Sequence, residues 1–192
     1  DNILTHAKNI GFSVLRVDGW EQNNISNMKS FLSQIKNKNI NADLKIPLNL
    51  HYHAIFSDST LNINQQGLNE LMSKLNLYLS DIVNNPAYSV SMIEIGNEPA
   101  HSEFWAGTEE QYVFLYNMVK DSIKKKSPQV LILHGATCTP WSGITKKLSE
   151  EESTIYKRTQ ELWYNKFYRD IAAKTFYWPY HCHGNLTPQL VS

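Results

Sequence analysis

The sequence predicts an α/β fold, a partial (β/α)8 TIM barrel, and three observations favour it. Apolar strand-like segments alternate strictly with amphipathic helix-like segments, which is typical of parallel strands joined by right-handed crossovers. The glycine-rich phosphate loop that opens a nucleotide-binding sheet does not occur in the sequence. The residues taken as strand ends are spaced by 35, 47, 39 and 44 residues, one β/α unit each, and they are Arg16, His51, Glu98, Thr137 and His181.

The length of the chain sets how much of a barrel it can form. Eight such units need more than the 192 residues present. We therefore expect strands two to six of the barrel, with the first strand and the last two missing. Residues 1–192 would form a single partial domain.

The first half of the chain gives two of the expected strands. A helix ends at Gly11, a strand covers residues 13–17, and a helix follows at about 27–38. The next strand is expected at 44–51, although Pro47 is unusual inside a strand. One apolar helical face follows, formed by Leu68, Leu71, Leu75 and Ile82.

The second half continues the alternation, with strands expected at 90–96, 130–134 and 175–181. The helix between the first two ends at a lysine run before Pro128. Its apolar face consists of Tyr112, Leu115, Val119 and Ile123. A polar connection at 139–153 leads to a further helix. That helix carries Trp163, Phe167 and Ile171.

Charge and hydropathy limit the classes of partner. Lys plus Arg and Asp plus Glu both number 18, so no long-range field attracts nucleic acid or an anionic membrane. No apolar run approaches the roughly 18 residues of a membrane span. Cys138 and Cys182 lack zinc-ligand spacing. They end adjacent expected strands and could touch, but we interpret them as two buried thiols, and their redox state stays open. We expect no nucleic-acid or membrane partner, and the oligomeric state stays open.

The segment 92–99 carries the strongest functional signal. An apolar strand runs directly into Glu98, which stands between Asn97 and Pro99. Pro99 is expected to hold Glu98 in extended backbone geometry, so that the carboxylate stays at the end of the strand as a proton donor. The alternative is a simple turn in which Glu98 caps the next helix.

Other polar residues follow the remaining strands and would meet Glu98 at one rim of a barrel. Arg16 is the first of them, and a structural ion pair with Asp18 or Glu94 is its alternative role. Glu94 alternates with Glu98 and is expected to pair with a cation from a neighbouring strand. The other candidates at this rim are Asn97, His51 and His181.

Together these residues resemble the retaining glycoside hydrolases of clan A, which include cellulases, mannanases and β-xylosidases, and most closely family 5. Asn97-Glu98-Pro99 is similar to the end of the family's fourth strand. Arg16 matches the arginine of the second strand, and the segment 48–51, Leu-Asn-Leu-His, matches the end of the third. The sixth strand of the family ends His-x-Tyr. Here that segment is His-Cys-His at 181–183, which fits at its first residue only.

The resemblance implies a polysaccharide-degrading catalytic domain that hydrolyses β-linked O-glycosidic bonds with retention, with Glu98 as acid/base and without a cofactor. Such enzymes need a second carboxylate about 5–5.5 Å away as nucleophile. After Glu161 the only acidic residue is Asp170, inside a helical segment, so the nucleophile is expected outside this chain. The resemblance also implies a carbohydrate substrate and a secreted protein, with any signal peptide upstream of Asp1.

The resemblance further implies roles in binding. Asn97 would hold the 2-hydroxyl of the sugar, and Arg16 would stabilise the nucleophile as an anion. His51 and His181 would donate hydrogen bonds to hydroxyls or orient Glu98. Candidates for stacking on a pyranose ring are Trp20, Trp105, Trp141 and Trp178, each of which could instead belong to the core.

Two other functions stay open. A non-catalytic carbohydrate-binding barrel would result if the nucleophile were replaced. A metal-dependent hydrolase is suggested by the imidazoles of His51, His53, His181 and His183. Metal-dependent amidohydrolase barrels, however, carry a carboxylated lysine on the fourth strand, where this chain has Glu98. We therefore expect no metal.

Overall fold

The computed structural model describes residues 2–20, 25–99, 104–135, 137–138 and 180–181, and it confirms an α/β fold. The strands of the main sheet are all parallel, and each pairs with the next one along the chain, in the order β1-β2-β3-β4. A second parallel pair, β5 and β6, places Cys138 opposite His181. The strands are Val14–Val17, Asn41–Ile46, Val90–Ile95, Leu131–His134, Thr137–Cys138 and Tyr180–His181.

Helices connect β1 to β2, β2 to β3 and β3 to β4, as the alternation predicted. They are α1 Asn2–Asn9, α2 Ile25–Asn37, α3 Tyr52–Ile55, α4 Gln65–Tyr78 and α5 Glu109–Lys126. A 3₁₀ helix, Leu48–His51, precedes α3, and a π-helical turn, Leu79–Val83, extends α4. None of the helices among the described residues is both long and apolar enough to cross a bilayer.

Both predicted apolar helix faces are confirmed, since all eight of their residues are buried in the core. The start of α5 is fixed by a capping box, in which Thr108 accepts from the Gln111 backbone and Gln111 Oε1 accepts from the Thr108 backbone. The Gln111 amide Nε2 also donates to the carbonyls of Asp58 and Thr60, at 2.7 and 2.6 Å. One fully buried side chain therefore holds both the helix cap and the loop that follows α3.

The strand predicted at 44–51 is wrong at both ends. The strand runs from Asn41 to Ile46, and the chain then leaves the sheet at Pro47, which has no N–H to donate to a neighbouring strand. The apolar residues after it form the 3₁₀ helix. His51 consequently ends a helical turn rather than a strand.

The two faces of the main sheet differ in chemistry because side chains alternate along each strand. One face is apolar and packs in the core under the helices, through residues such as Ala42, Leu44, Ile46, Ile93 and Ile95. The other face carries Arg16, Asp43, Lys45 and Glu94 on three adjacent strands. We call these four residues the charged face. The expected connection at 139–153 and the helix after it lie outside the described residues, as does the strand expected at 175–181 except for β6.

Candidate functional site

The chain turns sharply where β3 ends. Gly96 has a φ of +85°, and a Cβ at this position would lie 2.3 Å from Tyr112 Oη. Tyr112 Oη in turn donates to the carbonyl of Ile95 at 3.0 Å. Helix α5 therefore packs directly against the last residues of the strand, and only glycine fits at the turn.

Glu98 does not have the extended backbone that Pro99 led us to expect. Its φ is +35°, in the left-handed region that residues other than glycine seldom adopt. This φ departs from the extended geometry that is usual for a residue before proline. Such a conformation costs on the order of 1–3 kcal/mol and persists when the surroundings enforce it. The side chain of Glu98 is 5% exposed.

Arg16 connects two of the residues around this turn. Its Nε lies 2.7 Å from Glu94 Oε2, and its Nη2 donates to Asn97 Oδ1 at 2.8 Å. The ion pair between Arg16 and Glu94, which is 1% exposed, was expected as an alternative to a site role. The structure shows that Arg16 makes this pair and also orients Asn97. Because Asn97 Oδ1 faces Arg16, its Nδ2 amide is the group that can donate to a ligand.

A cleft of about 270 Å³ opens beside Asn97. Its polar lining comes from Asp18, Lys45, Asn49 and Asn97, and its apolar lining includes Leu50 and Phe104. Lys45 Nζ pairs with Asp18 Oδ1 at 2.9 Å, so the two charges in the lining compensate each other. A few polar groups among apolar ones suit an uncharged polar ligand. Glu98 follows Asn97 in the chain but is not among the described residues that line the cleft.

A hydrogen bond joins Trp20, which follows β1, to His51, which ends the 3₁₀ helix after β2. Trp20 Nε1 donates to His51 Nε2 at 2.9 Å, so neutral His51 carries its proton on Nδ1. Burial and the nearby Lys74 charge lower the pKa of His51 to about 4. His51 is therefore uncharged at neutral pH and can donate from Nδ1.

Trp20 is 2% exposed, which conflicts with the expected stacking on a sugar. The ring of Tyr78 lies 4.9 Å from it, and Lys74 Nζ lies 5.1 Å from its centroid. Trp105 is also fully buried, and its Nε1 donates to the carbonyl of Thr108 at 2.9 Å. Both indoles pack in the core because their faces are covered by neighbouring side chains.

Asp43 is the residue of this region that sequence reasoning missed. It lies in the middle of β2, opposite Arg16 in the register, and is 8% exposed. Its Oδ1 has no hydrogen-bond partner in the part of the chain that the structure describes. Burial, with the Glu94 charge beside it and the Arg16 charge opposing, raises the pKa of Asp43 to about 6. The alternation of Asp43 with Lys45 is the sequence signal for this residue, but a strand predicted to begin at Leu44 leaves Asp43 outside it.

The remaining expected site residues are not brought to the cleft by described contacts. Trp141 and Trp178 lie outside the described residues, and His181 is described through the backbone of β6 alone. Within the ranges that are described, no group of three His, Cys, Asp or Glu side chains could hold a metal ion.

No family model matches the chain, and no curated protein matches it.

Proposed function

We propose that the chain forms part of a (β/α)8 barrel and belongs to a retaining glycoside hydrolase that cleaves a β-linked polysaccharide or oligosaccharide. The sequential order β1-β2-β3-β4 supports the barrel, since each strand pairs with its successor. A doubly wound sheet instead reverses its strand order at a switch point. β5 and β6 are also parallel to each other, in a separate two-stranded sheet.

The single observation that carries the proposal is the arrangement at the end of β3. Asn97 and Glu98 follow the strand directly, and Arg16 holds Asn97 Oδ1 while paired with buried Glu94. This orientation directs the amide donor of Asn97 to a ligand rather than to the protein. Glu98 then stands next to the residue that would bind the sugar.

In the proposed reaction Glu98 donates its proton to the glycosidic oxygen as a nucleophilic carboxylate attacks the anomeric carbon. In the second step Glu98 takes a proton from the water that cleaves the glycosyl-enzyme bond. The proposal assigns the nucleophile to a glutamate outside these 192 residues, because no glutamate follows Glu161 in the sequence. His51, neutral and with Nδ1–H as donor, would contact a sugar hydroxyl or Glu98.

The chemistry of the cleft supports a neutral sugar. Its only described charges are those of Asp18 and Lys45, which pair with each other. The amides of Asn49 and Asn97 supply donors and acceptors for hydroxyls. Trp20 and Phe104 are the aromatic side chains in the cleft lining. Trp20 is only 2% exposed, so Phe104 is the one that offers an aromatic surface to a sugar.

The test uses the protein expressed from its complete reading frame. Aryl β-glycosides and soluble β-glucan, mannan and xylan are offered, and the anomeric configuration of the first product is read by NMR. We expect Glu98→Ala to lower kcat by about 10²–10⁴-fold on polysaccharide. Added azide should restore part of the rate on an activated aryl glycoside, since azide attacks without a general base.

Glu110→Ala is the matched control, because Glu110 is an exposed glutamate on α5. It should leave the rate unchanged. Full activity in Glu98→Ala, or an inverted product, would contradict the proposal.

A carbohydrate-binding barrel without catalysis is the second candidate. The observation that favours it is that Glu98 is buried and does not line the described cleft. Calorimetric binding of an oligosaccharide by the complete protein, with no turnover of any substrate above, would select this function.

A further inference from the structure

The charged face contains a carboxylate that the proposed reaction does not use. Asp43 and Glu94 both lie beside Arg16, yet only Glu94 is in ion-pair contact with the guanidinium. Asp43 Oδ1 is buried and has no hydrogen-bond partner among the described residues. A buried acceptor in this state is costly when charged and tolerable when protonated.

Arg16 has three competing acceptors within this cluster. Glu94 is its ion-pair partner, Asn97 accepts through a neutral amide, and Asp43 lies directly opposite Arg16 on the adjacent strand. A hydrogen bond to a charged acceptor is about twice as strong as one to a neutral acceptor. The bond from Arg16 to Asn97 is therefore the one that a second carboxylate charge would displace.

We propose that Asp43 is a positioning residue for Asn97. In its neutral form Asp43 leaves Arg16 bonded to Glu94 and Asn97, and in its ionised form it draws the guanidinium away from Asn97. Asn97 then loses the contact that fixes which end of its amide faces the cleft.

The charges around Asp43 determine the pH at which its carboxyl group ionises. Arg16 lies opposite it on β1, and Asp18 follows the end of that strand. Lys45 lies on its own strand, and Glu94 lies on β3. Asp18 and Lys45 pair with each other, so Glu94 and Arg16 dominate. With burial as the largest cause, the pKa of Asp43 is about 6. The hydrogen bond from Arg16 to Asn97 is therefore fully formed in mild acid and weakened at neutral pH.

The consequence for ligands rests on the proposed function. Asn97 lines the cleft, and its oriented amide is the donor offered to a sugar hydroxyl. We expect the affinity for a neutral oligosaccharide to fall about fivefold from pH 5 to pH 7.5. This factor corresponds to the net contribution of one hydrogen bond to binding.

The first measurement needs no sugar. In the complete ¹⁵N-labelled protein, the Arg16 Nε–H signal, assigned by its loss in Arg16→Lys, is followed from pH 4.5 to pH 7.5. We expect it to move with a midpoint near pH 6, together with the side-chain amide signals of Asn97. In Asp43→Asn both signals should stay constant, and in Asp18→Asn the movement should persist. An Arg16 signal that does not move in the native protein, or that moves equally in Asp43→Asn, overturns the proposal.

The second measurement separates the two proposals. Calorimetric Kd values for cellotriose, mannotriose and xylotriose are compared at both pH values. For any sugar that binds, the native protein should show the fivefold loss and Asp43→Asn less than about twofold; equal losses in both proteins overturn the positioning role. If none of the sugars binds, the substrate class is wrong, while the Arg16 signal still decides the role of Asp43.

Discussion

Substitution of Asp43 by Asn should stabilise the folded protein at neutral pH and have little effect in acid. The folded state raises the pKa of Asp43 from 3.8 to about 6, so the folded protein holds this proton more tightly than the unfolded chain. Its contribution to stability is therefore fully present below pH 3.8 and is lost as the pH rises through about 6. Asn has the shape of the protonated carboxyl and cannot ionise.

The magnitude follows from the two pKa values. Each pH unit between them corresponds to about 1.4 kcal/mol, so ionised Asp43 lowers the free energy of unfolding by about 3 kcal/mol at pH 7.5. The difference in stability between Asp43→Asn and the native protein should thus grow by about 3 kcal/mol from pH 3.8 to pH 7.5. Other titrating groups are common to both proteins and cancel in this difference.

The assay is urea unfolding of both proteins, followed by tryptophan fluorescence at several pH values in this range. Asp18→Asn removes an exposed carboxylate nearby and controls for the loss of one negative charge. A stability difference that is independent of pH would refute the reasoning, as would Asp43→Asn being most stabilising in acid. Either result would mean that Asp43 is ionised or solvated in the folded protein.

Two further predictions concern His51 and the turn after β3. The pKa of His51 is lowered from 6.5 to about 4, so its contribution to stability is present above pH 6.5 and is lost as the pH falls towards 4. In urea unfolding, His51→Gln should reduce this acid loss by about 1–2 kcal/mol, less than the full shift because the imidazole is partly exposed to solvent. The exposed control His53→Gln should not reduce it. Gly96→Ala should lower the free energy of unfolding by about 2–4 kcal/mol in thermal melts, because its Cβ would meet Tyr112 and its φ is positive. Gly11→Ala, with a φ of +95° but open space around it, should lose only about 1 kcal/mol, and equal losses at both glycines would contradict the role of packing.

The sequence predicts those elements whose periodicity is set by burial. Helices α4 and α5 carry apolar residues at helical spacing, and their predicted apolar faces are buried. Strands β1, β3 and β4 are short apolar runs, and their predicted bounds lie within one residue of the observed ones. Leu48 and Leu50 also alternate as a strand would, but Pro47 ends the ladder before them. Local pattern alone could not decide between a strand and a 3₁₀ helix there.

The candidate site was less predictable because its geometry depends on contacts between distant residues. The positive φ of Glu98 differs from the preference that Pro99 sets, and it occurs two residues after Gly96, where Tyr112 packs on the turn. The burial of Trp20 depends on Tyr78, from the end of α4. The importance of Asp43 follows from the register of β1 and β2, which places it opposite Arg16 and cannot be deduced from the local sequence. Asn97 and Arg16, by contrast, were identified from their positions at strand ends and do meet.

The Gln111 side chain has a consequence for motion near the cleft. Its amide donates to two loop carbonyls and accepts from the Thr108 backbone, while the Thr108 carbonyl accepts from Trp105, next to Phe104 at the cleft. If the loop at 58–60 lifts away, the buried amide loses both acceptors, at a cost of about 1–3 kcal/mol each. The loop and the first turn of α5 should therefore open to solvent hydrogen exchange as one cooperative unit. The loop at 58–60 and the first turn of α5 then open together in one step rather than independently of each other.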